Sequence, residues 1–154
     1  IYQWRLEPRQ TDAALAAYET AIQISDFSTT WEEANSHYER GEILWWLGRD
    51  ADEYIDEYRR AIELYPRHAS AYILLGVAYY IRYGDVTMAE TEIRQALSIS
   101  PKNRSAYYHL GEIYRQEGCI DKARAMYERA LEIDPQFEAA RERLKALASD
   151  ERAR

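Results

Sequence analysis

The sequence predicts an all-α chain of antiparallel helical hairpins stacked side by side. Three observations carry that expectation. Apolar residues recur at i, i+3, i+4 and i+7 along runs rich in Ala, Leu, Glu, Arg, Ile and Tyr, the spacing of helices with one buried face. Only 6 Gly and 4 Pro occur in 154 residues, too few for the turn-rich chain of a sandwich or barrel. The chain also repeats itself: Gly41, Gly76 and Gly111 stand 35 residues apart, while Ala61, Ala96 and Ala130, like Pro66, Pro101 and Pro135, recur at intervals of 35 and 34. A period of this size marks one hairpin per repeat.

The elements follow in chain order. "DAALAAYETAIQIS" (12–25) sets Ala14, Tyr18 and Ala21 on one face and reads as the second helix of an incomplete first unit, whose first helix survives only as "IYQWRLE". That unit and its loop occupy 1–29. Thr30 and Glu33 make a capping-box pattern, so the next helix is expected to be long, roughly 31–47, and it opens a unit spanning 30–68. The unit 69–103 carries Tyr72, Leu75, Gly76, Tyr79, Gly84, Ala89, Ile93 and Ala96, with Asp85 placed to cap its second helix. The unit 104–137 repeats the order as Tyr107, Leu110, Gly111, Tyr114, Gly118, Ala123, Tyr127 and Ala130. In it Gly111 and Ala130 are small where two helices cross, Gly118 suits a left-handed helix end, Asp121 favours a helix N-terminus, and Pro135 stops the second helix. Finally "QFEAARERLKALAS" (136–149) aligns Phe137, Ala140, Leu144 and Leu147 on one stripe and reads as a polar capping helix, followed by a tail at 150–154.

This order of residues resembles the tetratricopeptide repeat (TPR) family over about residues 34–137. The resemblance implies a right-handed superhelix, an α-solenoid, in which the first helix of each hairpin lines a concave groove. It also implies a module that binds other proteins without catalysis. By the glycine alignment, the groove-facing positions are Asn35, Tyr38, Glu42, Trp45 and Trp46; then Ser70, Ile73, Val77, Tyr80 and Ile81; then Ser105, Tyr108, Glu112, Arg115 and Gln116. Chaperone-binding members hold a C-terminal carboxylate with a clamp of Lys, Arg and Asn at such positions. Here Tyr38 and Glu42 replace the Lys–Asn pair and only Arg115 remains, so an apolar helix or extended segment, with a basic residue for Glu42 or Glu112, suits the groove better than an acidic tail.

The register of the helix in "HYERGEILWWLG" has two readings. Aligning Gly41 with Gly76 puts His37 and Arg40 at apolar stripe positions and Leu44 in the core, with both tryptophans near the groove. Sliding by one residue puts Tyr38 and Trp45 in the core and Trp46 alone at the groove. Residues adjacent on a helix point about 100° apart, so the choice decides whether Trp45 is core, while Trp46 faces the groove in both.

Composition narrows the function classes. The net charge of -7 disfavours nucleic acid and anionic membranes, and the basic residues of "RERLKALASDERAR" are interleaved with acids. No apolar run approaches the roughly 20 residues of a membrane span, so this chain is not expected to insert into a membrane itself. The lone Cys119 fits a reducing compartment, which favours the cytoplasm, and follows a turn glycine as a bland small residue. His37, His68 and His109 are scattered, and no metal-ligand, phosphate-loop or nucleophile-elbow motif occurs, so neither catalytic residue, metal nor cofactor is expected. The chain opens on Ile1 and reads as a piece of a longer protein. The expected partner is another protein or peptide. The alternatives are a homodimer through the open N-terminal unit around Trp4 and Leu6, or an accessory docking domain of a larger, membrane-bound enzyme.

Overall fold

The computed structural model describes residues 13–20 and 30–152. After a helical stretch at 13–20 come α1 (Thr30–Trp46), α2 (Ala51–Leu64), α3 (Ala69–Tyr83), α4 (Val86–Ile99), α5 (Arg104–Gln116), α6 (Ile120–Ile133) and α7 (Glu138–Arg152). The described residues contain no strand. Short connections force neighbouring helices to run antiparallel, giving the hairpins α1/α2, α3/α4 and α5/α6, with α7 packed on α6. The first helices also meet across hairpins, α3 against α5.

Local chemistry sets the element ends. Gly48, Gly84 and Gly118 turn the three hairpins with φ of 65°, 66° and 73°, a conformation other residues reach only with strain. Asp85 caps α4 by accepting from the Met88 N–H at 3.0 Å, and Asn103 caps α5 by accepting from Ser105 and Ala106. Thr30 is the first residue of α1 rather than a residue ahead of it. At the C-terminus the capping stripe packs as the spacing suggests: Ala140 and Leu147 are buried and Phe137 and Leu144 cover the same cluster. The helix starts at Glu138 and continues through 150–152, positions read above as tail. "IYQWRLE", with Trp4 and Leu6, lies outside the described residues.

The other three glycines lie where helices cross. A Cβ on Gly41 would stand 2.6 Å from Tyr58 Cε1, and one on Gly111 would stand 2.5 Å from Tyr127 Cε1. A Cβ on Gly76 would meet the Ala89 carbonyl oxygen at 2.7 Å. The equivalence of Gly41 and Gly111 decides the register of α1. Leu44 is 2% exposed and occupies the core, while Trp45 lies beside it, stacked on Tyr54 with ring centroids 5.6 Å apart. The one-residue slide is excluded, because Leu44 fills the place it would assign to Trp45.

This register puts His37 and Arg40 where the later hairpins carry Tyr72 and Leu75, or Tyr107 and Leu110. Glu57 of α2 makes the exchange tolerable. Its carboxylate meets His37 Nδ1 at 2.8 Å and accepts from Arg40 Nη1. Arg40 also reaches Glu19 of the 13–20 stretch at 3.2 Å, and Leu15 of that stretch joins the cluster of Leu44, Tyr54 and Tyr58. A half-buried ion cluster thus replaces one apolar layer.

Candidate binding groove

The residues expected to face the groove lie on α1, α3 and α5. Tyr38 and Tyr108 hold equivalent places and pack alike: Tyr38 lies on His68 at 4.9 Å and Tyr108 on Phe137 at 5.4 Å, each at the foot of the next first helix. Ile73, at the same place in α3, offers no surface. Its shorter side chain is 4% exposed within the cluster of Ala106 and Leu110, which corrects its expected role as a groove contact. Val77 is half-buried against that cluster. Tyr80 donates its hydroxyl to Glu117 at 2.8 Å. Asn35 donates to Glu39 at 2.8 Å, Ser70 and Gln116 are exposed, and Ser105 is half-buried.

The two tryptophans of α1 part company. Trp45 is half-buried on Tyr54, whereas Trp46 is 70% exposed. Trp46 is therefore no part of the core. Ile81, its equivalent in α3, is also exposed.

The two acids of the groove have opposite surroundings. Glu112 accepts from the Tyr127 hydroxyl, from Arg115 Nη2 at 3.3 Å and from Arg143 Nε of α7 at 2.9 Å. Burial opposes its charge, but Tyr127, Arg115 and Arg143 outweigh burial and hold the carboxyl below its ordinary range. Glu112 and Arg115 thus already pair with each other within the chain. Glu42, by contrast, is pushed above the carboxylate range by burial and by the charge of Glu39, against the support of the Tyr38 hydroxyl. Tyr18 is drawn into the same acidic spot. Its hydrogen bond to Glu39, its burial and the charges of Glu39 and Glu42 raise it to about 12. Sequence reading missed Glu39 and Tyr18. Glu39 carries a legible signal, three residues before Glu42 on one helix face, but Tyr18 is brought in by packing from the preceding unit.

The histidines stand apart. His37 is tied to Glu57, His68 is buried and accepts from the Ala71 N–H at 3.2 Å, and His109 is half-buried on α5. Cys119 is exposed at the start of α6 without a side-chain capping bond. Among the described residues there is no group of three or more His, Cys, Asp or Glu that would hold a metal ion, and no helix long and apolar enough to cross a membrane.

Two sequence profiles described as tetratricopeptide repeat match residues 105–137 and 55–104. The chain belongs to the tetratricopeptide repeat family. Solved structures share its fold. A crystal structure of MamA superimposes with a TM-score of 0.71 at 22% identity, covering 93% of this chain and 80% of that one. The first TPR of Spaghetti (RPAP3), bound to the HSP90 peptide SRMEEVD, gives 0.68 at 22% identity, covering 80% of this chain and 97% of that one. The Arabidopsis OM64 TPR domain gives 0.65 at 24% identity, covering 77% and 96%. Comparison with curated proteins gives no match. The chain is thus an all-α TPR solenoid.

Proposed function

We propose that this TPR chain is a protein-interaction module that seats a helical or extended segment of another protein on the concave face made by α1, α3 and α5. Trp46 carries the reading. An indole 70% exposed at the end of α1 contributes little to packing, and tryptophan in such a place is the residue type that dominates interfaces. Ile81 extends the open apolar surface along α3. The solved RPAP3 domain, a protein of the same fold, holds a peptide. An acidic tail is not the proposed ligand here, because Arg115 is already paired with Glu112, and Glu39 and Glu42 repel negative charge.

Selection from a displayed random-peptide library tests the reading, with the Trp46→Ala protein as the comparison target. Peptides selected on the wild-type chain are expected to lose about 2 kcal/mol or more of affinity on Trp46→Ala, roughly thirty-fold, while the melting temperature stays put. Peptides that bind Trp46→Ala undiminished would show that the α1 end of the groove is not the site.

A further inference from the structure

The two ends of the groove differ at one repeated position. Glu42 and Glu112 each follow a crossing glycine, and the rings of Tyr58 and Tyr127 lie against those glycines in the same way. In the third hairpin the arrangement is complete. Tyr127 donates to Glu112, and Arg115 and Arg143 neutralise that carboxylate at 3.3 and 2.9 Å. In the first hairpin both cations are missing. The repeat puts Trp45 where Arg115 stands and Leu74 where Arg143 stands. Among the described residues Glu42 meets no cation; its charged neighbour is another acid, Glu39. Tyr58 makes the contrast independent of the acids. Its side chain is 0% exposed and its hydroxyl is buried without a hydrogen-bond partner, whereas the equivalent Tyr127 hydroxyl is bonded to its glutamate.

Resting on the reading of this face as a docking groove, we propose that Glu42, with Tyr38 and the Trp45–Trp46 edge, is a receptor for one lysine or arginine side chain of the docked segment. The third hairpin shows the completed form of the same site, with its cations supplied from within the chain. A carboxylate partly removed from water and left without a counter-charge is held at a cost, and a cation arriving from a partner relieves it. Glu39 adds long-range attraction, and the half-buried Tyr38 ring, bonded through its hydroxyl to Glu42, offers a face to a guanidinium or ammonium group. The upward shift at Glu42 and the downward shift at Glu112 agree with an empty and a filled version of one site.

The test uses peptides selected on the wild-type chain, synthesised with each basic residue kept or replaced by norleucine. The expected result is a Lys or Arg at one fixed position whose replacement weakens binding about ten-fold or more. Glu42→Gln is expected to weaken the basic peptide by the same factor and leave the norleucine peptide unchanged, so that the two losses do not add. Leu74→Arg, which gives Glu42 an internal cation, is expected to weaken the basic peptide as well; thermal melting checks that each variant folds. Peptides sensitive to Trp46→Ala that carry no fixed basic residue, or that bind Glu42→Gln undiminished, overturn the cation receptor and leave the groove reading standing. Peptides indifferent to Trp46→Ala, or no selected peptide at all, overturn both.

Discussion

Gly76→Ala sets two effects of opposite sign against each other. Alanine is the better helix former by about 1 kcal/mol in a helix interior, so propensity alone makes the variant more stable. Packing argues the reverse. The new methyl would stand 2.7 Å from the Ala89 carbonyl oxygen, 2.9 Å from Ile93 Cγ1 and 3.3 Å from Glu92 Cβ. Ordinary contacts lie near 3.5–4 Å, so α3 and α4 must part by the better part of an ångström. The nearest obstacle is backbone of a buried helix residue, which cannot rotate aside as a side-chain tip can. Overpacking costs about 1–3 kcal/mol, and a backbone obstacle belongs in the upper part of that range, about 2–3 kcal/mol, leaving a net loss of about 1–2 kcal/mol and a fall in melting temperature of roughly 2–8 °C for a chain of this length. Thermal and urea unfolding followed by circular dichroism measure it. A Gly76→Ala protein that melts at or above the wild-type temperature would refute the close crossing as the reason for the repeated glycine.

Three further outcomes follow from named contacts. Glu57→Ala takes from His37 its ion partner and leaves Arg40 only Glu19, and is expected to lose about 2–3 kcal/mol in denaturant unfolding; the variant with His37→Tyr, Arg40→Leu and Glu57→Met, which writes in the third hairpin's residues, is expected to recover most of it. Burial depresses the pKa of His68, and that of His109 to about 4, so below the ordinary histidine value near 6.5 the unfolded chain takes up protons first. Stability is therefore flat above that value and falls as the pH drops toward 4; a melting-temperature profile that His68→Gln and His109→Gln do not flatten in this window contradicts the assignment. Cutting the chain after Pro135 bares the cluster that Phe137, Leu144 and Leu147 cover and removes Arg143 from Glu112, so the shortened protein is expected to melt lower and to self-associate in light scattering.

The fold was legible because its constraints are local. A close helix crossing demands a small residue, so Gly41, Gly76 and Gly111 recur with the period of the hairpin, and the α7 stripe of Phe137, Ala140, Leu144 and Leu147 is visible in its spacing. The register of α1 was not legible, because His37 and Arg40 break its stripe. What permits them is Glu57, on another helix, and no period links that residue to α1. The positions along the first helices were legible, but not which of their side chains are already paired. Arg143 reaches Glu112 from α7 and Arg115 pairs with it along α5, so two residues expected to meet a partner meet each other. Ile73 shares a repeat position with Tyr38 and Tyr108, yet a shorter side chain at that position ends inside the core. Repeat alignment assigns positions; side-chain length and the partners brought by neighbouring helices decide what each position offers.

The most direct test of the docking face is a nuclear magnetic resonance titration of the isotope-labelled chain with a selected peptide. The account expects the largest shifts at the Trp46 indole N–H and at the backbone amides of Tyr38, Glu42, Val77 and Ile81, with the outer surfaces of α2, α4 and α6 unmoved. Shifts concentrated on α2, α4 and α6, with the Trp46 indole unchanged at saturation, would contradict it.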